Sequence, residues 1–547
     1  MEIIERLSGF KNHFSFIYDK FVSLSTTHKT IIIYLLISAI TIFAYYPTFF
    51  TTFRADQWCY WADTNNCNSW FDLVTKFYSY NRVRVYNSGD VFLFRPILFI
   101  LLGTEKFFFG YHQIYWQITG VVLYLVFAWI LLVFLLKIDK SILSFMLCTF
   151  FVFLSTNFEM VTWQHINGYI LFMIFMASSL YLSYRYVQEK LRSKSVILAI
   201  FLFNLLAIFT HELGVIFSFL IFIYLLIDNI KRNKSSKSFS FYLVSIPIPL
   251  YILVNFLDFN YYSAGGAKGF ISLYSGYIYK IFECTVSLLY TISLWICAAI
   301  LPFTQRSHIG SRFVFDIHHH FEIIFVVVII LSLILLLIIK KIKFNLPALK
   351  NYNHLSFVCL NVIMLLSVAL IIALRMIVNG PSYVNISIYY SYMFWFFAIV
   401  TICYLKKINF LEIKSNYKKI INRIIFLALS LIIILNIINL HLFSSRLSRH
   451  YKQYYDQYYT IGKIIDRHKN SEDFSFSFLN YGNNPEINQW LNNVKRKMGK
   501  NEKYSLSLLF NQYINDKNPK YYISFDENNH INFVRADAKQ KKANASK

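Results

Sequence analysis

The chain has 547 residues, 57% of them hydrophobic and only 15% charged, and its apolar residues come in long blocks; one soluble core does not hide that much apolar surface. The net charge of +25 suggests a nucleic-acid partner, but the basic residues sit in short clusters between apolar runs, with no basic stripe on a soluble domain, so nucleic acid is excluded as a partner. A β-barrel needs short alternating segments, which are absent, and the fold class is an α-helical polytopic membrane protein.

Residues 1–29 are polar and mixed in charge, and the apolar run that follows lacks a small-residue cleavage site. That run is expected to stay as a membrane helix. Eleven spans are predicted, at 30–48, 114–136, 141–157, 167–184, 196–210, 213–230, 241–258, 322–340, 355–377, 389–405 and 420–442. Runs such as "FEIIFVVVIILSLILLLII" (321–339) suffice to cross about 30 Å of hydrocarbon at about 1.5 Å per residue. Lys137 and Lys140 follow the second span, "RYVQEKLRSK" the fourth, "KRNKSSK" the sixth, "KKIKFNLPALK" the eighth and "KKINFLEIKSNYKK" the tenth. With this count all five fall on one side together with residues 1–29, and the positive-inside bias makes that side cytoplasmic.

Residues 276–302 are apolar enough to span, but counting them would move "KKIK" outside. They are read as an interfacial or re-entrant helix on the outer side, with Lys280 and Glu283 on one face and Pro302 as its terminator. The outer segments are then the loops 49–113 and 259–321 and the tail 443–547. In the tail, "RLSRHYKQYYDQYYTIGKIIDRH" has helical periodicity, whereas "DFSFSFLNY" and "KYYISFDENNHINFV" alternate like strands. The expectation is a small C-terminal extracytoplasmic α/β appendage on a transmembrane domain of residues 30–442.

The seven cysteines show no metal-binding spacing. Cys148, Cys284, Cys297, Cys359 and Cys403 lie in apolar runs and read as packing residues. Cys59 and Cys67 share a polar loop, where a disulfide or two free thiols are both open.

Charged groups with chemical potential gather on the outer side. Asp56, beside Arg54 in "FTTFRADQWCYW", follows the first span; the bland alternative is a solvated loop acid. Trp58, Tyr60 and Trp61 suit either an interfacial belt or a stacking wall. Arg95 precedes Pro96, and Lys268 lies in the second outer loop. His211 and Glu212 sit where the fifth span turns outward, in an almost uninterrupted apolar stretch. Arg375 lies inside the apolar end of a span. Ionisable groups at such depth are costly and line functional cavities, although Arg375 can also snorkel. His165 in "TWQHING" faces the same side, and "HHH" at 318–320 reads as a membrane-edge cap.

In order, these stretches resemble the GT-C superfamily of glycosyltransferases, closest to its O-mannosyltransferase-like branch. The resemblance rests on an early acid (Asp56), an "RP…FG…YH" stretch matched by Arg95, Pro96, Phe109, Gly110, Tyr111 and His112, and "VTWQHINGYILF" (161–172). It also rests on His211-Glu212, where a Lys-Glu pair is common, and on "SLWICAAILPF" before the eighth span. It covers about the first 300 residues and is absent in the tail. The second loop acid of such families is Gln57 here, so a metal site built on two carboxylates of this loop lacks one. A divalent cation, Mg or Mn, stays open as a cofactor, and no metal ligands are assigned.

The resemblance implies transfer of a sugar from a polyprenyl-phosphate donor to a glycan, lipid or protein acceptor outside the plasma membrane. Asp56 would be the base, a role typically worth about 10²–10⁴-fold, with Glu212 also in the catalytic set. Arg54, Arg95, His165, His211, Lys268 and Arg375 would face the donor phosphate. Two rivals stand beside it: an O-antigen polymerase or ligase-like enzyme working through outer arginines, and a lipid or solute transporter, which would show internal repeats.

Overall fold

The computed structural model describes residues 24–51, 67, 69–76, 95–110, 112–231, 243–253, 277–302, 342–379, 390–413, 415–468, 476–480, 521–525 and 531–535. Its helices are α1 (Thr26–Tyr45), α2 (Pro96–Phe109), α3 (Gln113–Ile138), α4 (Ile142–Phe153), α5 (Phe158–Thr162), α6 (Asn167–Gln188), α7 (Lys194–Thr210), α8 (Leu213–Lys231), α9 (Tyr277–Ile300), α10 (Tyr352–Asn379), α11 (Ser391–Lys407) and α12 (Ser415–His468). Among the described residues six helical stretches are long and apolar enough to cross a membrane, or seven when α4 and α5, bent by 46°, are taken as one. This is the architecture of a polytopic helical membrane protein.

Those stretches coincide with the expected spans at 30–48, 114–136, 167–184, 213–230, 355–377 and 420–442, and the bent pair covers 141–157. The expected spans at 196–210, 241–258 and 389–405 are shorter helices, and 322–340 lies outside the described residues. Helix starts follow local chemistry. Ser25 caps α1 by accepting the His28 backbone N–H at 3.3 Å, and Ser193 caps α7 by accepting from Val196 at 3.2 Å.

The core is aromatic and aliphatic, with Tyr124, Phe127, Phe151, Phe172, Phe217, Phe357, Phe396 and Trp295 fully buried. α3, α6, α7, α10 and α11 form its centre. Cys148, Cys297 and Cys403 pack there as expected, but Cys359 is exposed, on the face of α10 opposite buried Phe357, Leu360 and Met364. The Cys284 side chain and Cys59 lie outside the described part.

One end of the bundle is basic and cross-linked. Lys406 reaches Asp139 at 2.6 Å, Lys137 reaches Glu189 at 3.3 Å and Arg192 reaches Asp228 at 3.4 Å. Lys231 stands over the Tyr352 ring at 5.2 Å, and Lys407 donates to the Tyr184 hydroxyl. These contacts tie α3, α6, α8, α10 and α11 together where the sequence clusters its lysines.

Midway, the chain between α4 and α5 leaves the helix at 154–157, at full burial. Irregular backbone at membrane depth is tolerated only where protein satisfies it. Here Tyr124 Oη donates to the Val152 carbonyl at 2.9 Å, and Asn157 Nδ2 donates to Tyr124 Oη and the Phe151 carbonyl, each at 2.8 Å. The Ser155 N–H donates to Asn436 Oδ1 at 3.0 Å. Asn436 Nδ2 in turn holds the Ala299 carbonyl at 2.8 Å, and Asn439 Nδ2 holds that of Pro302 at 2.8 Å. The helix read as interfacial or re-entrant, α9, sends its last turns into the bundle before Pro302: Trp295 and Ala299 are fully buried, with Trp295 against Phe394. The asparagines of α12 draw them in.

Three short strands follow α12: Phe476–Asn480 pairs in parallel with Tyr521–Phe525, which pairs antiparallel with Ile531–Arg535. A separate two-stranded ladder joins Ile342–Phe344 to Leu411–Ile413.

Candidate functional site

At the end of the bundle opposite the lysine contacts, α2 crosses the N-terminus of α6. Pro96 starts α2 without needing a backbone donor, which leaves Arg95 as its N-cap. The crossing is close because residue 168 is glycine: a Cβ there would stand 2.3 Å from Leu98 Cδ1. Gly103 likewise admits Val74 of the helical stretch 70–76, where a Cβ would stand 2.7 Å from Val74 Cγ2.

Thus placed, Arg95 meets the turn between α7 and α8. Its Nε donates to Glu212 Oε2 at 2.9 Å and its Nη2 to Oε1 at 2.8 Å, a bidentate fork. Arg95 keeps 12% of its side chain exposed and Glu212 24%, so the pair is largely withdrawn from water yet reachable. Burial opposes the guanidinium charge, but Glu212, Tyr169 and Tyr390 more than restore it, holding Arg95 above its usual range.

An aromatic box backs the pair. The Tyr169 ring lies 5.7 Å beneath the guanidinium, and its hydroxyl is 3.5 Å from both Arg95 Nη1 and the Tyr390 hydroxyl. Tyr392 Oη donates to the Tyr169 carbonyl at 2.7 Å. His211, 2% exposed, packs on Tyr169 at 4.5 Å and Phe172 at 5.3 Å. Its Nδ1 accepts the Leu213 N–H at 3.1 Å, which places the ring proton on Nε2 of a neutral imidazole. The 3.4 Å approach of that same Nδ1 to Glu212 Oε2 is therefore a contact and not an ion pair.

Of the residues singled out in the sequence, Arg95, His211 and Glu212 come together. His165 sits on the 3₁₀ turn Gln164–Ile166, one turn ahead of Tyr169, and Arg375 lies in the last turns of α10; only their backbone is described. Arg54, Asp56, Lys268, Trp58, Tyr60, Trp61 and the histidines at 318–320 lie outside the described residues. Tyr169 and Tyr390 were not foreseen. They are 221 residues apart, and a tyrosine in an aromatic-rich chain carries no spacing signal. Among the described residues no three His, Cys, Asp or Glu side chains are placed to hold a metal ion.

On the other side of the α6 N-terminus, α2 buries Glu105, 2% exposed. Asn167 of α6 stands beside it, and Asn167 in turn lies against the α3 face that carries Gln113, Gln117 and Gly120. Gln164 Nε2 donates to Gln117 Oε1 at 3.1 Å, and Gln117 Nε2 to the Val161 carbonyl at 3.2 Å. Gly120 makes room: a Cβ there would lie 2.9 Å from Asn167 Oδ1. Asn167 neighbours the Glu105 carboxyl without hydrogen-bond alignment. Both Glu105 oxygens, both polar atoms of Gln113 and Asn167, and Gln164 Oε1 are buried with no protein hydrogen-bond partner among the described residues. Each such atom costs about 1–3 kcal/mol if left unsatisfied.

Comparison with known protein families and with curated proteins finds no match to this chain.

Proposed function

We propose that this is a membrane glycosyltransferase of the GT-C kind, moving a sugar from a polyprenyl-phosphate donor to an acceptor outside the cytoplasm. The observation that carries the reading is the Arg95–Glu212 fork, joined across 117 residues at the bundle end opposite the lysine contacts. By the positive-inside bias the lysine end faces the cytoplasm and the fork faces out. The reading includes eleven spans, a cytoplasmic N-terminus and a C-terminal α/β appendage outside a bacterial plasma membrane.

In this mechanism Asp56 takes the proton of the acceptor nucleophile as the glycosidic bond forms. The leaving phosphate gains negative charge, and Arg95 offers Nη1, its edge not used by Glu212, with the Tyr169 hydroxyl beside it. Glu212 keeps the guanidinium oriented. His165, His211, Lys268, Arg375 and Arg54 complete the donor side, and a divalent cation, Mg or Mn, is compatible with the scheme without being required by it.

The test is sugar transfer from a synthetic polyprenyl-phosphate sugar in proteoliposomes. Asp56→Asn is expected to lower turnover by about 10²–10⁴-fold, and Arg95→Ala to abolish it, with the protein still folded. Solute flux without any transfer would support the transporter reading. Full activity of Asp56→Asn with loss in Arg375→Ala would support a polymerase or ligase.

A further inference from the structure

We propose that Glu105, Gln113, Gln164 and Asn167 enclose an ordered-water site at the outer end of the bundle, and that Glu105 is its protonated member, a proton-binding group separate from the Arg95–Glu212 pair. This inference does not rest on the glycosyltransferase reading.

In this proposal pairwise contacts and helical spacing place the four side chains together. Gln113, Gln117 and Gly120 recur at intervals of four and three residues, on one face of α3. Gln164 is hydrogen-bonded to that face, the Asn167 carboxamide lies against Gly120, and Glu105 lies beside Asn167. All four are at most 2% exposed. Their unpartnered atoms include acceptors on every residue and amide donors on Gln113 and Asn167. Water, which both donates and accepts, satisfies such a mixed set; buried waters typically make about three hydrogen bonds to otherwise unsatisfied groups. An anion is disfavoured because, among the described residues, no cation pairs with the Glu105 carboxyl, and a divalent cation because no cluster of three His, Cys, Asp or Glu side chains is placed there.

The charged groups on the surrounding elements are Lys106 on α2, Glu159 on α5, and Asp72 and Lys76 in the stretch 70–76. None pairs with the Glu105 carboxyl. An acid without a cation or an aligned donor is destabilised as an anion and favoured as the neutral acid, which donates its own hydrogen bond. Burial pushes Glu105 well above the ordinary carboxylic-acid range, with Asn167 opposing only in part.

Infrared difference spectroscopy of the full chain in lipid tests both parts. The carbonyl stretch of a protonated carboxylic acid is expected at neutral pH, lost in Glu105→Gln, and shifted within minutes of transfer to D₂O. A spectrum in which Glu105→Gln removes no such band overturns the protonated acid. A band that stays unshifted after hours in D₂O overturns the water. Radiolytic labelling in H₂¹⁸O gives a second measurement on unmutated protein: ¹⁸O is expected on Glu105 and its neighbours despite their burial, and absence of label there sinks the water site. Asn167→Leu, which keeps the carboxyl, is expected to slow the deuterium shift; an unchanged rate removes Asn167 from the site.

Discussion

Leu98 rests in the notch left by Gly168, with its Cδ1 only 2.3 Å from where a Cβ at position 168 would stand. The contact sets how deeply α2 seats across α6, and so whether Arg95 reaches Glu212. Gly168→Ala is expected to cost about 1–3 kcal/mol through overpacking. Thermal unfolding in detergent measures the loss, and adding Leu98→Ala should recover part of it. An unperturbed melting curve for the single variant contradicts the notch.

The fork itself is open to a double-mutant cycle. Removing one partner of a buried pair costs about 3–5 kcal/mol, an upper bound here because Glu212 keeps 24% of its side chain exposed. Arg95→Ala should be more harmful than Arg95→Ala combined with Glu212→Gln, since the double variant leaves no buried charge. An equal effect of Glu212→Gln in the presence and in the absence of Arg95 would mean that the pair is not coupled.

Asn436 carries three polar contacts at once, with Ser155, Ala299 and Ile432. Asn436→Leu keeps the volume but strands the Ser155 N–H and the Ala299 carbonyl, at about 1–3 kcal/mol for each buried group. Limited proteolysis should show faster cleavage after α9, because the anchor of its C-terminal turns is gone. If cleavage is unchanged, α9 is held by other contacts.

The lysine end has a pH signature. Burial alone would raise the Asp139 pKa, but hydrogen bonds from Lys406 and Ser141 outweigh it and hold it below the ordinary aspartate value of 3.8. A depressed carboxylate contributes stability that is complete above its unfolded value and is lost as pH falls through the folded one. Wild type and Asp139→Asn should therefore differ in melting temperature at neutral pH and converge only in strong acid. A difference that is constant down to pH 2 would falsify the assignment.

The helical class and the lysine clustering were legible in the sequence because both follow from composition and period. Long apolar runs read directly as spans, and the polar turn at His211-Glu212 stood out inside one. The partner of Glu212 was not legible: Arg95 was singled out for a phosphate, and nothing in its own stretch points to a carboxylate 117 residues away. The break at 154–157 is not legible in the sequence, because Ser, Thr and Asn in an apolar run look like tolerated polar residues. Their role depends on Tyr124 and Asn436, which only the fold brings near. Glu105 carried no signal of its own in the sequence; its burial goes with the close crossing of α2 over α6 at Gly168.

α12 runs from Ser415 to His468 as 54 residues of unbroken helix, about 80 Å at 1.5 Å per residue. No hinge separates the part that holds Asn436 from the part that leads to the strands. A load applied at the distal tip is therefore passed down a stiff shaft to the Ser155 and Ala299 contacts, and anything that grips the tail also pulls on the interior.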